Sequence, residues 1–496
     1  MPQPTVCALD LNLSLCRRLT ALIPMALTLF TFATSAGADT STSATSTSVT
    51  FAELGMGTQL TAGPGGKVLT NCNVWTPNGE WLLYDTRSDI PSPTPEMDSK
   101  QIKMVNVANH KVRNIYESKN GADCLVVTCN PKRAEVVFIL GPENPTEDWK
   151  YSFAHRQGVL VDIAHPGLKR NLDARDITSP FTPGALRGGS HVHVFSPDGE
   201  WVSFTYNDHL LSLTTNPPTA EPDQRNIGVS APIPNHSVKV HSGNIRNHSS
   251  AYFTILATNT VTHPKPGSDE IQRAVEEGWI GSDGYVRADS TRQKRALAFQ
   301  GEVITASGET ISEVYVADLP EDITVAGELG PLEGTVTTRP RPPKGTVQRR
   351  LTHTADRKYP GIQGPRHWLR SSPDGQRISF LMKDDSGVVQ IYTVSPTDGL
   401  PPRQLTHNPW SVTSTFTWSP DGRSIAFAAD NSVFTVDTTT GESVRRTKRS
   451  SDEDAPMHEA CAFSPDGKQI AFMRRLKEAD ATEGRASQIF VVGVAP

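Results

Sequence analysis

Ser196-Pro197-Asp198-Gly199 recurs unchanged as Ser372-Pro373-Asp374-Gly375, Ser419-Pro420-Asp421-Gly422 and Ser464-Pro465-Asp466-Gly467, and in altered form as Thr76-Pro77-Asn78-Gly79. Each residue of the tetrapeptide has a turn-forming role. Ser opens the turn, Pro pre-sets φ at the second position, Asp hydrogen-bonds local backbone, and Gly takes the fourth place. An aromatic or apolar stretch precedes each copy and an alternating run follows, as in Glu200-Trp201-Val202-Ser203-Phe204 and Lys468-Gln469-Ile470-Ala471-Phe472. Each copy therefore predicts a hairpin between two buried strands.

Working outward, Gln390-Ile391-Tyr392-Thr393-Val394, Ser432-Val433-Phe434-Thr435-Val436 and Gln488-Ile489-Phe490-Val491-Val492 read as third strands. Arg350-Leu351-Thr352 and Arg403-Gln404-Leu405-Thr406 mark fourth strands. Four antiparallel strands repeated along a chain predict an all-β fold, a β-propeller of four-stranded blades. Two degenerate repeats, at 121–175 around Cys129-Asn130-Pro131-Lys132 and at 236–320, bring the count to seven. At about 65 residues per blade the loops are long, and counts of six or eight stay open. Thr58-Gln59-Leu60-Thr61 carries the fourth-strand signature ahead of any first strand, so an N-terminal strand is expected to complete the last blade and close the ring. Ser268–Trp279, with Ile271, Val275 and Trp279 spaced by four, reads as a helix within a long insertion near 255–295.

Composition narrows the function classes. The chain has 496 residues, with 48 Lys+Arg against 53 Asp+Glu and a formal charge of -5. No basic excess calls for a nucleic-acid partner. Arg17 and Arg18 precede an apolar run from Leu19 to Ala33 and the small residues Ala36-Gly37-Ala38, so residues 1–38 read as a secretory signal peptide, with an uncleaved anchor as the alternative. Residues 39–50 form a Ser/Thr-rich leader and 51–496 one propeller domain, expected in the periplasm or outside the cell with no membrane span once the signal is removed. Cys72, Cys124, Cys129 and Cys461 would meet an oxidising compartment, where a Cys124–Cys129 pair, a Cys72–Cys461 bridge and inert core thiols are the readings. Trp75, Trp81, Trp201, Trp410 and Trp418 recur in repeat register and read as inter-blade packing.

The aromatic-x-SPDG repeats resemble the TolB-type propellers of exported bacterial proteins. Thr70-Asn71-Cys72-Asn73-Val74-Trp75, Gly141-Pro142-Glu143-Asn144-Pro145 and Glu277-Gly278-Trp279-Ile280-Gly281 are similar to a family of exported bacterial propellers of unassigned function. That resemblance runs from about residue 58 to the C-terminus and implies fold and export rather than chemistry.

Chemistry is sought on the innermost strands, which line a propeller's channel. Six residues before each turn Pro stand Asn71, His191, His367, Ser414 and Glu459; four before stand Asn73, His193, Leu369, Phe416 and Cys461. Strand alternation puts the two sets on one face. His191 and His193 could then hold one divalent metal, Mn, Zn, Fe or Ni, while Asn71, Asn73, His367 and Glu459 are candidate ligand contacts. A histidine on such a strand can equally serve only to bond backbone. The His-x-His element before an SPDG turn is also similar to that of oligogalacturonate lyases, propellers in which it contributes manganese ligands; Gly188 and Gly189 stand where those enzymes place a Gln.

The lack of a G-x-S-x-G elbow excludes a prolyl-oligopeptidase-type peptidase. Two classes remain. One is an exported propeller binding an envelope protein or a polysaccharide or oligosaccharide at its channel face. The other is a metal-dependent carbohydrate-active lyase. An Arg facing a His in the channel, from among Arg187, Arg366 and His367, would favour the lyase, and an apolar groove free of imidazole the binding module.

Overall fold

The SPDG turns close as their residues dictate. In the computed structural model, which describes residues 54–88, 98–213, 217–397, 399–477 and 484–494, Ser196 Oγ donates to Asp198 Oδ1 (2.6 Å) and accepts from Trp201 N (3.0 Å). Gly199 sits at φ 77° and its N–H donates to Ser196 O (2.7 Å). The hydroxyl-to-side-chain bond repeats at Thr76, Ser372, Ser419 and Ser464. In the degenerate second blade, Asn130 Oδ1 takes over by accepting from Lys132 N (2.9 Å) and Arg133 N (3.1 Å).

Seven antiparallel sheets follow in chain order. Blade one has Trp81–Asp85, Gln101–Asn106 and Val112–Glu117, its inner edge supplied by single bridges at Val68 and Trp75. Blade two runs Cys124–Cys129, Glu135–Leu140, Gln157–Asp162, Lys169–Asn171, and blade three Gly188–Phe195, Val202–Asp208, Asn226–Pro232, Tyr252–Leu256. Blade four uses Arg273–Trp279, Ala296–Ile304, Thr310–Asp318 and Val347–Arg350. Blades five and six open with the short strands Arg370–Ser371 and Thr417–Trp418. In blade seven Pro456–Phe463, Gln469–Lys477 and Arg485–Gly493 are joined by Thr58–Gln59, which pairs with Val491 and Phe490 and closes the ring as expected. The only helix among the described residues is the 3-10 turn Leu210–Ser212.

The Leu-Thr signature of the fourth strands proves to be a latch. Thr61 Oγ1 donates to Gln488 Oε1 (2.8 Å) and accepts from Ile489 N (2.9 Å). Thr406 does the same to Gln390 Oε1 (2.7 Å) and Ile391 N (2.9 Å), and Thr352 to Glu313 and Val314 N. Each threonine thereby satisfies a buried third-strand amide that would otherwise lack a partner.

One expectation fails here. Ser268–Trp279 is not a helix, because Arg273–Trp279 is the innermost strand of blade four, paired with Ala296–Ile304. A bulge between Val275 and Gly278 adds a residue to that strand, so its apolar spacing imitates a helical one. Further along the 255–295 segment, a small ribbon pairs Tyr285–Val286 with Arg292–Gln293.

The core lies between blades. Val74, Trp75, Leu82 and Tyr84 of blade one pack on Ala460, Ala462, Ala471 and Met473 of blade seven. Tryptophans also stitch blades by hydrogen bonds: Trp75 Nε1 donates to Ala462 O (3.1 Å) and Trp418 Nε1 to Ser379 Oγ (2.8 Å). All four described cysteines are buried free thiols. Cys124 and Cys129 end one six-residue strand, about 17 Å apart at strand rise and far beyond disulfide reach. Burial pushes both thiols up to about 12, which keeps them protonated and inert. The signal and leader readings at 1–38 and 39–50 lie outside the described residues. No helix among those residues is long and apolar enough to cross a membrane.

Candidate functional site

Three consecutive inner strands carry the same irregularity. The register shifts between Leu125 and Thr128 in blade two, between His191 and Val194 in blade three, and between Val275 and Gly278 in blade four. Val126 (φ 59°), Val192 (φ 56°) and Glu276 (φ 54°) occupy the left-handed region at these bulges. That conformation is costly for a β-branched side chain and persists only where surroundings impose it. Asp85, fully buried in blade one, helps to do so by accepting from Val126 N through Oδ2 (2.8 Å).

The bulge decides the fate of the His-x-His pair. Period-two alternation would aim both imidazoles one way, but the extra residue at Val192 breaks it. His191 lines a cavity of about 290 Å³ at the end of the channel where the inner strands begin. His193 is 0% exposed and lies between blades, its ring 5.4 Å from Phe204. It packs so closely on Gly158 that a Cβ there would stand 2.6 Å from Nε2. Neither ring nitrogen of His193 has a hydrogen-bond partner, and burial lowers its pKa to about 3. The two predicted metal ligands therefore have different surroundings, His191 on the cavity and His193 between blades, although His193 is near enough to contribute to the lowered pKa of His191.

The other candidates divide. Asn71, His191 and Glu459 do meet in the one cavity, together with Arg87, Arg366 and His458. Asn71 Oδ1 accepts from Arg370, and Glu459 lies 3.5 Å from His458 with Oε2 unpartnered. Asn73 instead lines a cavity of about 480 Å³ at the opposite, turn-side end, among turn prolines including Pro77, Pro131 and Pro197. His367 touches neither cavity. Its Nδ1 donates to Pro365 O (2.8 Å) and its Nε2 accepts from Leu381 N (3.1 Å), so the neutral ring is fully used by the fold. Ser414 plays the same part in blade six, accepting from Ala428 N (2.7 Å). Position six before the turn Pro is thus a backbone latch in blades five and six, and a channel position in blade three. Arg187 is likewise structural, fully buried in an ion pair with Asp208 (2.7 Å).

Val126, Val192 and Trp368 floor the first cavity and belong to one apolar cluster with Cys72 and Val194, which face the second. The two ends of the channel are therefore separated by packed side chains.

Arginine dominates the electrostatics of the strand-start mouth. Arg366 Nε pairs with Glu276 Oε1 (2.5 Å) and its guanidinium lies 4.6 Å from the Trp368 ring centroid. Arg87 pairs with Asp85 (3.2 Å). Arg225 and Arg156 both lie against Phe153, 4.9 and 4.7 Å from its ring centroid. Burial, followed by the charges of Arg156, Arg366 and Arg225, holds His191 well below the usual histidine range, so it is neutral at physiological pH. Glu277, fully buried beside Glu276, is pushed up to about 8 chiefly by burial.

These residues do not fit a divalent cation. Among the described residues no group of three or more His, Cys, Asp or Glu could hold a metal, and the arginines around His191 oppose one. A wall of guanidinium groups around a neutral imidazole is suited to binding anions. Arg156, Arg225 and Glu276 sit outside the turn register, so no repeat motif marks them. Arg156 lies in the loop before Gln157–Asp162, where only the aromatic run Trp149, Tyr151 and Phe153 signals a surface feature.

Residues 123–248 match the family described as a protein of unknown function (DUF3748). Oligogalacturonate lyase in complex with manganese aligns over 89% of this chain and 99% of its own, at 12% identity and a TM-score of 0.48. A putative TolB from Agrobacterium tumefaciens aligns over 80% and 99%, at 14% identity and a TM-score of 0.35. The uncharacterized protein YidR of Escherichia coli (strain K12) is 45% identical over 419 residues, which is 84% of this chain and 94% of that protein. On that extent of identity, the chain belongs to the family of Escherichia coli YidR.

Proposed function

We propose that this protein is exported and binds a carboxylate-bearing polymer or envelope-protein segment at the strand-start mouth of its channel. The observation that carries the reading is the convergence of Arg87, Arg156, Arg225 and Arg366 around His191 at that mouth. Guanidinium groups recognise carboxylates by paired hydrogen bonds, and a partly enclosed site screens them less than bulk water does. Trp368, Val126 and Val192 supply an apolar floor for the uncharged part of the ligand. Calorimetry with an oligogalacturonide and with an oligoglutamate tests the reading. Binding that weakens with salt and falls at least tenfold in Arg366→Gln supports it; no binding of either probe refutes it.

A second reading is favoured by one pairing, Arg366 with the neutral His191 in a single cavity. In a uronate chain, His191 would take the proton α to the carboxylate while Arg366 neutralises the developing charge. The electron pair then forms a carbon–carbon double bond and expels the glycosidic oxygen, which is protonated by solvent. Appearance of the ultraviolet absorbance of an unsaturated uronate, lost in His191→Ala, is the result that would move the assignment from binding to elimination.

A further inference from the structure

Arg156 is 4% exposed, yet its Nε and Nη1 have no hydrogen-bond partner and it forms no ion pair among the described residues. Its guanidinium lies 5.1 Å from the Tyr151 ring centroid and 4.7 Å from that of Phe153, which is itself 59% exposed at the rim. The Tyr151 hydroxyl interacts with this same guanidinium, and His191 Nδ1 is buried without a partner. Among the described residues no carboxylate pairs with it: Glu276 pairs with Arg366, Asp85 with Arg87, and Glu459 lies beside His458 with Oε2 unpartnered. A buried cation without a counter-charge is disfavoured, and among the described residues only the Tyr151 hydroxyl and two aromatic rings act against that cost. Stacking on two aromatic rings orients the guanidinium plane but leaves Nε and Nη1 unused.

Resting on the reading that this mouth binds carboxylates, we infer that Arg156 is its specificity-determining residue, a receptor for one ligand carboxylate, with the Tyr151 hydroxyl donating to the same group. The planar edge of the guanidinium meets the two oxygens of a carboxylate by parallel hydrogen bonds. Phe153 at the rim packs on the ligand backbone that follows the carboxylate.

The full chain is melted in acetate and in acetamide at equal ionic strength, as wild type, Arg156→Gln, Arg156→Lys and Arg366→Gln. Acetate should raise the wild-type melting temperature saturably and acetamide should not. Arg156→Gln should abolish that rise, Arg156→Lys should leave a weaker one, and Arg366→Gln, which removes a second guanidinium from the same mouth, should lessen it without abolishing it. Arg156→Gln should also melt higher than wild type in anion-poor buffer, since it removes an unpaired buried charge. Absence of an acetate effect on wild type, or an equal effect on Arg156→Gln, overturns the inference. The two readings separate with the oligomer probes of the preceding test. If they bind Arg156→Gln as tightly as wild type, the mouth reading stands and the receptor falls. If acetate acts through Arg156 but neither oligomer binds wild type, the receptor stands and the polymer reading falls.

Discussion

Thr61→Val is an almost isosteric change that isolates the ring closure. In the folded chain Thr61 Oγ1 satisfies Gln488 Oε1 (2.8 Å) and Ile489 N (2.9 Å), both buried. Gln488 Nε2 is separately bonded to Gly63 O (3.0 Å), so removing the hydroxyl orphans one acceptor and one donor without freeing the side chain to turn away. A buried group left unpaired costs about 1–3 kcal/mol, which sums to about 2–6 kcal/mol for the pair. For a domain spanning residues 53–496, with about 2 cal/mol/K of unfolding entropy per residue, that is a fall of about 2–7 °C in melting temperature. The control is Thr406→Val in blade five, where Gln390 Oε1 keeps a second donor, Asn408 N (3.2 Å), and the strand is held at both ends by chain. Thr61→Val should therefore melt lower than Thr406→Val, and only Thr61→Val should accelerate proteolysis between residues 54 and 66. Scanning calorimetry with timed digestion reads both. A shift below 1 °C for Thr61→Val, or an equal or larger one for Thr406→Val, would refute the latch as the element that closes the ring.

Other tests follow from the buried ionisable groups. His193→Leu should raise stability by about 1–3 kcal/mol, because it removes two unpartnered nitrogens from an apolar inter-blade site; a loss of stability and of bound metal together would restore the ligand reading. His193 and His367 have pKa values lowered mainly by burial, to about 3 and about 4, so the unfolded chain binds the extra protons as pH falls below 6.5. Stability should therefore drop on acidification by about 1.4 kcal/mol per pH unit for each, in addition to the other buried histidines, with His193→Leu reducing the slope by that one increment in urea titrations between pH 6.5 and 4.5. Glu277 has the opposite sign. Its pKa, raised to about 8, gives stability that is complete below about 4.5 and is lost as pH rises through 8, so Glu277→Gln should melt higher than wild type at pH 8.5 and flatten the alkaline limb. Gly158→Ala drives a methyl into the His193 ring and should lower stability by about 1–3 kcal/mol, a cost relieved in the Gly158→Ala/His193→Ala double variant.

The blade plan was legible because a local rule repeats. Ser196-Pro197-Asp198-Gly199 and its copies make their turns from their own atoms, so counting them locates hairpins without knowledge of their neighbours. The closing strand was legible for the same reason, since Gln59-Leu60-Thr61 repeats the signature of Gln404-Leu405-Thr406. Where the motif is missing, in blade four, the reading failed and a bulged strand passed for a helix.

The direction in which the inner-strand side chains face is set by packing between blades. Asn71, His191 and Glu459 were placed in the channel from spacing, and they do share a cavity. His193 and His367 came from the same count and instead entered the blades, one turned by the bulge at Val192 and one drawn to the Leu381 amide. A bulge is imposed by neighbouring blades, as Asp85 does at Val126, and a left-handed valine leaves no mark in the amino-acid sequence. Arg366 stands beside the register position His367, but Arg87, Arg156 and Arg225 lie outside the repeat register, so closing the ring is what brings the four together around His191.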